Sequence, residues 1–241
     1  MKDFIEKIAG GLIVSCYAGN DLNEEMASPE IMTAVAKSCL AGGANAIRTN
    51  YENVKMIADS IDAPLIGIKK VYRSGGIDGG DFRITPTLKE VEQLVNAGVD
   101  AVAIDGTFRE RYDDLTLADF IKEIKNRWDI HIIADISTVE EGVAAYKAGA
   151  DLVGTTLSGY TPYSKNPIHF GSIPEPDPDY EIIKELRNAG VNYVIAEGRI
   201  SDGNRMKKAL QAGAHAVVIG TSITQPKKIV RTILSTAKEE I

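Results

Sequence analysis

One short sequence joint recurs five times along this 241-residue chain. In each copy an alanine and a glycine end a segment of helical character, a small turn follows, and a short apolar run begins. The copies start at Ala41, Ala97, Ala148, Ala189 and Ala212. Glycine tolerates the left-handed backbone that ends a helix, so each joint indicates a helix end followed by a strand. A repeated helix-to-strand joint indicates a repeated βα unit.

Eight apolar runs of strand length accompany these joints, and helical segments separate them. The predicted strands are 12–16, 46–48, 65–70, 101–105, 131–135, 152–155, 193–197 and 216–219, and the intervening helices include 54–61 and a last helix over 226–239. Ser28 before Pro29 and the pairs Thr87/Glu90 and Thr138/Glu141 predict helix starts. The chain length is close to the roughly 250 residues of a (β/α)₈ barrel, so a single such domain over residues 1–241 is predicted.

Composition excludes several classes of protein. The net charge of −7 argues against non-specific nucleic-acid binding. The chain has two cysteines, Cys16 and Cys39, and no evident signal peptide, which favours a reducing compartment, and we expect a cytoplasmic protein. No apolar run approaches the roughly 18 residues that a membrane span requires. Two loops stand out, the glycine-rich segment 73–81 and the segment 156–178, which carries five prolines.

Polar residues gather where the predicted strands end. They are Cys16, Arg48, Lys70, Asp105, Asp135, Thr155 and Glu197, with Gly220, Thr221 and Ser222 after the last strand. If these residues point inward, period-two alternation directs Ile68, Ala103, Ile133 and Ile195 inward below them. Active sites of (β/α)₈ barrels lie at the carboxyl ends of the strands. The polar residues are therefore expected to face one another above an apolar barrel core.

Lys70 and Glu197 are the candidate proton-transfer groups. A lysine near Arg48 and above an apolar core should have a lowered pKa, which makes it a usable base near neutral pH. The alternative is a lysine that extends to solvent, and Lys69 must point away from Lys70. Glu197 is either a second acid/base group or a partner for Arg48, Arg199 or Lys70.

Arg48 suits an anionic substrate group or an enolate oxygen, and its alternative role is pairing with Asp105 or Asp135. The two aspartates are expected to orient basic residues within the substrate site. Thr155 and Arg199 are assigned to substrate binding because they lie at the same rim.

The glycines after the last two strands predict a phosphate site. Gly198 and the run Gly220, Thr221, Ser222 occupy the loops that hold phosphate in many barrels, where backbone N–H groups contact the anion. The alternative is that these glycines only form tight turns.

Metal and thiol chemistry are not expected. His131 and His215 precede strands at the opposite end of the barrel from Cys16, and His169 lies alone in the long loop. No histidine and carboxylate cluster has the spacing of metal ligands. Cys16 is predicted to be a small buried residue rather than a nucleophile.

With these residues assembled, the chain resembles the N-acetylmannosamine-6-phosphate 2-epimerase family over nearly its whole length. The resemblance rests on the segments 11–16, 46–48, 66–70, 84–87, 134–141, 155–164, 197–200 and 223–224, of which Thr155-Thr-Leu-Ser-Gly-Tyr-Thr-Pro-Tyr-Ser164 is the most specific. It implies epimerisation at C2 of an N-acetylhexosamine 6-phosphate, without a cofactor. Lys70 and Glu197 match the family's catalytic lysine and glutamate, and Arg48 matches its substrate-binding arginine. The resemblance also suggests a homodimer.

Two departures from the family pattern concern substrate-binding positions. Tyr17 stands where the family usually has Gln, and Gln225 stands where it usually has Arg. The segment Asn166 to Asp179 is an insertion. Two rival functions remain at this stage: a non-catalytic phosphosugar-binding barrel, and another phosphosugar enzyme such as a decarboxylase. The Asp-x-Lys pattern of the latter is absent, since Asp105-Gly106-Thr107 occupies the place.

Overall fold

The computed structural model describes residues 2–17, 25–73, 81–165, 167–168 and 176–239. The strands are β1 (Leu12–Cys16), β2 (Ala46–Asn50), β3 (Leu65–Ile68), β4 (Lys70–Tyr72), β5 (Phe82–Ile84), β6 (Ala101–Asp105), β7 (His131–Asp135), β8 (Leu152–Gly154), β9 (Val194–Glu197) and β10 (Ala216–Ile219). All of these except β4 and β5 close into a parallel barrel in the order β1-β10-β9-β8-β7-β6-β3-β2. The predicted (β/α)₈ fold is confirmed.

Helices connect the barrel strands. They are α1 (Lys2–Ile8), α2 (Pro29–Ala41), α3 (Tyr51–Ala58), α4 (Leu88–Ala97), α5 (Leu117–Arg127), α6 (Val139–Lys147), α7 (Tyr180–Asn188), α8 (Gly203–Gln211), α9 (Thr221–Thr224) and α10 (Pro226–Glu239). The predicted caps are confirmed, because Ser28 accepts a hydrogen bond from Ile31 and capping boxes open α4 and α6. α3 begins at Tyr51 rather than at the predicted Val54, directly after Asn50 ends β2.

The apolar core has two layers that follow the alternation of side chains along each strand. Ile68, Ala103, Ile133 and Ile195 belong to the cluster that fills the barrel, as predicted. The residues of opposite parity pack between the sheet and the helices. Cys16 lies in this outer layer and is fully buried, and burial raises the pKa of its thiol to about 12. Cys16 is therefore a packing residue, as predicted. The expectation that it faces the barrel axis with the other strand-end residues is wrong, because its parity in β1 directs it toward the helices.

The third barrel strand is shorter than predicted. β3 ends at Ile68, and Lys70 opens β4, which pairs with β5 in an antiparallel hairpin that joins Lys70 to Ile84. Thr85 closes the junction: its N–H donates to the Lys69 carbonyl at 2.7 Å, and its hydroxyl accepts from the Lys69 N–H at 3.0 Å. The hairpin therefore leaves the barrel at its carboxyl rim and positions Lys70 there.

Helix α1, which the sequence reasoning missed, packs against the amino end of the barrel. Phe4 and Ile8 are buried, and the Phe4 ring stacks on His131 with the ring centroids 4.8 Å apart. His215 Nε2 lies 2.8 Å from the Ile5 carbonyl oxygen. His131 and His215 are thus part of the packing at this end, opposite to the predicted site.

Some sequence predictions concern residues outside the described ranges. The glycine cluster from Gly75 to Gly80, His169 and most of the segment from Asn166 to Asp179 lie outside the described residues. Among the described helices, none has the length and apolar character needed to cross a membrane.

Candidate active site

A buried ion pair joins Arg48 on β2 to Asp135 at the carboxyl end of β7. Arg48 Nη2 lies 2.6 Å from Asp135 Oδ2, and Arg48 Nη1 donates to Asp135 Oδ1 at 3.4 Å. The two side chains are 2% and 0% exposed. Gly154 on the next strand leaves room for this pair, since a Cβ there would stand 2.7 Å from Asp135 Oδ1. Asp135 therefore orients a basic residue, and that residue is Arg48.

Glu197 extends the ion pair to β9. Its Oε2 lies 3.4 Å from Arg48 Nε, and its side chain is 17% exposed. The Thr156 hydroxyl is 2.6 Å from Asp135 Oδ1 and 3.1 Å from Glu197 Oε2, so it connects the two carboxylates. Burial raises the pKa of Glu197 and outweighs the opposing attraction of Arg48, with Asp135 adding to the increase. Glu197 can therefore hold a proton more readily than an exposed glutamate.

Lys70 points toward this group of residues. Burial, together with the positive charge of Arg48, lowers the pKa of Lys70 from 10.5 to about 8, against the opposing effect of the negative charges of Glu197 and Asp135. Lys69 points the other way, as predicted: its Nζ donates to Gln93 Oε1 at 2.7 Å and lies 4.4 Å from the Tyr51 ring centroid. The alternation along the chain thus directs one lysine of the pair toward the site and the other away from it.

The threonines after β8 are arranged differently from the sequence assignment. Thr155 is buried, and its hydroxyl donates to the Glu197 carbonyl at 2.9 Å and accepts from the Glu197 N–H at 3.0 Å. It fixes the backbone of β9, while Thr156, which the sequence reasoning did not select, faces the carboxylates. The alternation of side chains along β8 could have identified Thr156. Leu152 faces the barrel interior, so Gly154 and Thr156 are expected to face it as well.

Asp105 orients an arginine that the sequence reasoning also missed. Arg109 Nη2 lies 2.6 Å from Asp105 Oδ2, and the Thr107 hydroxyl donates to Asp105 Oδ1 at 2.6 Å. The Ile84 N–H of the hairpin points to the same carboxylate at 3.4 Å. Asp105 therefore links the loop after β6 to the hairpin that carries Lys70.

Arg199 is engaged with the loop that follows β8. Its Nη1 donates to the Ser158 carbonyl at 2.8 Å, and its Nε donates to the Asp177 carbonyl at 3.1 Å. Its guanidinium carbon lies 5.7 Å from the Tyr160 ring centroid. The structure places Arg199 as a connection between the described ends of this loop, and not among the side chains that contact Arg48.

The predicted phosphate residues directly follow β9 and β10, which are neighbouring strands of the barrel. Gly198 has a φ of 114°, and Gly220 precedes the short helix α9 that Thr221 and Ser222 begin. A Cβ at Gly220 would stand 3.2 Å from Ser15 Cβ, so this glycine allows the turn to approach β1. Within the described part of the chain, Ser222 Oγ is buried and has no hydrogen-bond partner.

The positions of Tyr17 and Gln225 are linked. Gln225 Nε2 donates to the Tyr17 carbonyl at 3.3 Å, and the Thr224 hydroxyl lies 3.3 Å from the same oxygen. Thr224, at the end of α9, and Gln225, directly after it, therefore fix the backbone of Tyr17, which follows β1.

A separate cavity lies at the other end of the barrel. It has a volume of about 510 Å³, and its lining includes Phe4, Asp62, Asp100 and His131. His131 begins β7, whereas Asp135 ends it, so this cavity is remote from Lys70 and Glu197. In the described residues, no group of three or more His, Cys, Asp or Glu side chains is arranged to hold a metal ion.

The fold and the rim define the class of protein: a (β/α)₈ barrel whose amine, guanidinium and two carboxylates converge at the carboxyl ends of the strands. Comparison with known proteins identifies the family. Residues 32–239 match the family model described as "Putative N-acetylmannosamine-6-phosphate epimerase". The chain belongs to this family.

Named relatives and solved structures agree with this assignment. A "Putative N-acetylmannosamine-6-phosphate 2-epimerase" of Caldanaerobacter subterraneus subsp. tengcongensis is 45% identical over 241 residues, covering 98% of this chain and 95% of that relative. One of the same description from Cutibacterium acnes is 42% identical, covering 93% of each chain. The solved N-acetylmannosamine-6-phosphate 2-epimerase of Clostridium perfringens is 36% identical with a TM-score of 0.85, covering 96% and 95%.

A more distant structure shares the fold alone. Thiamine phosphate pyrophosphorylase from Pyrococcus furiosus is 16% identical with a TM-score of 0.59, and 98% of each chain is covered.

Proposed function

We propose that this chain is an isomerase that interconverts N-acetylmannosamine 6-phosphate and N-acetylglucosamine 6-phosphate. The observation that carries the proposal is the convergence of Lys70, Arg48 and Glu197 at the barrel rim. The family and its named relatives support the substrate. The resemblance to this family implies a reaction of amino-sugar and sialic acid breakdown. The reaction requires removal of a proton from C2 and its return to the opposite face.

Lys70 is the group we assign to proton removal. Its lowered pKa leaves a sizeable neutral fraction near neutral pH, and a neutral amine can accept the C2 proton of the open-chain sugar. The C2–H bond breaks, its electron pair forms the C1–C2 double bond, and the C1 aldehyde oxygen becomes an enolate. Arg48 has N–H groups beyond those used by Asp135 and Glu197, and these stabilise the enolate oxygen.

Glu197 is the group we assign to proton return on the opposite face. Its pKa is raised by burial, so it holds a proton more readily than an exposed glutamate, and Thr156 and Arg48 hold its position. The proton goes to C2, the C1–C2 double bond reverts to the C1 aldehyde, and the configuration at C2 is inverted. Asp135 and Asp105 keep Arg48 and Arg109 in place, and Thr155 fixes the strand that carries Glu197.

We propose that the substrate phosphate binds at Gly198, Gly220, Thr221 and Ser222. The first N–H groups of α9 have no partner within the helix, and such groups attract anions. The buried Ser222 hydroxyl, which lacks a partner among the described residues, supports a polar ligand there.

Proton NMR of the purified protein with N-acetylmannosamine 6-phosphate in D₂O tests the function. We expect the N-acetylglucosamine 6-phosphate signals to grow and deuterium to appear at C2 of both sugars. Binding without exchange at C2 would indicate a non-catalytic sugar-phosphate protein. Loss of a carbon unit or another product would indicate a different phosphosugar enzyme.

We also propose that residues 1–241 form one domain and act as a homodimer. Helix α10 contacts mainly α9 and carries Val230, Ile233 and Leu234, each more than half exposed. These residues share one face of the helix, and a contiguous apolar face of this kind suits a second copy of the same face about a two-fold axis.

The free thiols of Cys16 and Cys39 support a reducing, cytoplasmic setting.

Light scattering coupled to gel filtration tests the dimer. We expect a mass near twice the 26.0 kDa of the chain. Ile233→Glu should give the monomer mass, because it buries a charge in the apolar contact. Thr232→Glu, on the opposite face of α10, is the matched control and should remain dimeric. A monomeric wild-type protein, or equal masses for the two variants, would contradict this interface.

A further inference from the structure

Two aromatic rings face the amine of Lys70. Its Nζ lies 4.5 Å from the ring centroid of Tyr17 and 4.9 Å from that of Phe82. Tyr17 directly follows β1, and Phe82 begins β5 in the hairpin that also contains Lys70. A cation within about 6 Å of an aromatic centroid is attracted to the negative face of the ring.

The charged groups around Lys70 come from three barrel strands. Arg48 on β2 opposes the ammonium form, whereas Asp135 on β7 and Glu197 on β9 favour it. Among the described residues Lys70 forms no ion pair within 4 Å, since Asp135 and Glu197 are both engaged with Arg48. The Asp105 and Arg109 pair borders the hairpin. The two rings therefore stabilise a positive charge on Lys70 at short range, in addition to the carboxylates that are engaged with Arg48.

We propose that Tyr17 and Phe82 form an aromatic clamp that positions the Lys70 side chain over the barrel and stabilises its ammonium form. The clamp acts against the burial and the Arg48 charge, which both favour the neutral amine. Lys70 is thereby kept within reach of both protonation states, as a group that accepts and returns protons must be. Tyr17 and Phe82 are positioning residues in this account and act only through Lys70.

The surrounding structure holds both rings. The backbone of Tyr17 is fixed by Thr224 and Gln225, whose side chains reach its carbonyl oxygen. Phe82 is buried and pairs with Tyr72 across the hairpin, with the ring centroids 5.8 Å apart. Because Gln225 follows α9, the clamp also connects the proposed phosphate residues to Lys70.

This inference rests on the proposed role of Lys70, so its test does not depend on turnover. The fraction of neutral Lys70 amine can be measured by trace acetylation over a range of pH, with mass spectrometry of the labelled peptide. Lys69, which faces away, is the internal reference. Tyr17→Leu removes the ring and keeps the site apolar, while Tyr17→Phe keeps the ring and removes only the hydroxyl.

In Tyr17→Leu we expect Lys70 to become reactive at a pH lower than in the wild type by roughly half to one pH unit. Tyr17→Phe should titrate like the wild type, and Lys69 should be unchanged in both variants. The rising limb of kcat/KM with pH should move by the same amount. An unchanged or raised titration point in folded Tyr17→Leu would overturn the clamp.

Phe82→Leu is an independent second variant and decides the question if Tyr17→Leu does not fold. It should shift the titration of Lys70 in the same direction, and an absent shift would again overturn the clamp. A labelling shift in a protein without epimerase activity would leave the clamp valid and refute the function. Epimerase activity without a labelling shift would support the function and refute the clamp.

Discussion

Two cations share the site, and their surroundings separate their behaviour. Burial disfavours the charge on Arg48, but Asp135 and Glu197 outweigh burial and raise the pKa of Arg48, so it remains charged. Lys70 lacks such partners within 4 Å among the described residues, and its pKa falls to about 8. Groups whose environments move their pKa values apart can take different chemical roles. Arg48 is thereby suited to hold negative charge, and Lys70 to exchange protons.

This arrangement predicts that Lys70→Met stabilises the folded protein at neutral pH. The pKa of Lys70 is lowered on folding from 10.5 to about 8, so the folded state binds the proton less tightly than the unfolded state. The penalty, at most about 3 kcal/mol, is fully present below pH 8 and disappears as the pH rises to 10.5. Urea unfolding of both proteins across this range checks the prediction.

The gain in unfolding free energy of Lys70→Met should be largest at pH 7 and absent near pH 10.5. A gain of the same size at every pH would show that the methionine acts through packing alone. A loss of stability at pH 7 would contradict the view that the folded protein disfavours the Lys70 ammonium.

Single residues were predictable where strand parity reaches them. The inward direction of Lys70 and the outward direction of Lys69 follow from alternation. Arg109 was missed because it lies in the loop after β6, where neither strand parity nor helical period applies. Thr156 keeps the parity of β8 but lies beyond the end of the strand, and it was passed over in favour of Thr155. Thr156 contacts Asp135, which lies 21 residues earlier in the chain. Arg109 contacts Asp105, which is only four residues away, but this contact requires the loop after β6 to fold back on the strand.

At the scale of elements, the repeated joint and the apolar runs predicted every barrel strand. The β4–β5 hairpin was not predicted, because its strands have three residues each and leave no measurable period. Helix α1 was missed because it lies outside the repeated unit. Both elements matter for the site or its support, since the hairpin carries Lys70 and α1 packs against His131 at the amino end.

The packing of α6 against α7 depends on a glycine. A Cβ at Gly142 would stand 2.5 Å from Leu186 Cδ2 and 3.1 Å from Val153 Cγ1, and both side chains are fully buried. Gly142→Ala should therefore lower the unfolding free energy by about 1–3 kcal/mol despite the better helix propensity of alanine. Thermal or urea unfolding provides the measurement.

Gly203→Ala is the matched control for this helix prediction. A Cβ at Gly203, the first residue of α8, meets no atom within 4 Å, so its stability should be unchanged or slightly raised. Both variants should keep the wild-type turnover while folded, because neither glycine belongs to the residues assigned to the site. Equal stability of Gly142→Ala and Gly203→Ala would show that α6 can move away from α7 without loss.

At the scale of the whole molecule, closure of the barrel is what makes a site from distant residues. Arg48, Lys70, Asp135 and Glu197 are spread over 150 positions, counting from 48 to 197. Arg48 lies within β2, Lys70 follows β3, and Asp135 and Glu197 end β7 and β9. Parallel strands present their carboxyl ends at one rim, so residues that alternate inward meet there. The general location of the site was therefore predictable. Which carboxylates pair with Arg48 depends on the register between strands, which the sequence pattern does not reveal.

The central claim is that Lys70, and not merely a basic rim, exchanges the proton at C2. Proton NMR of N-acetylmannosamine 6-phosphate in D₂O, with Lys70→Ala and Lys69→Ala compared at equal folded concentration, tests it most directly. We predict that Lys69→Ala incorporates deuterium at C2 at close to the wild-type rate. Lys70→Ala should lose about 10²–10⁴-fold, as expected for removal of one acid/base group. Near-normal deuterium incorporation by folded Lys70→Ala would contradict the account.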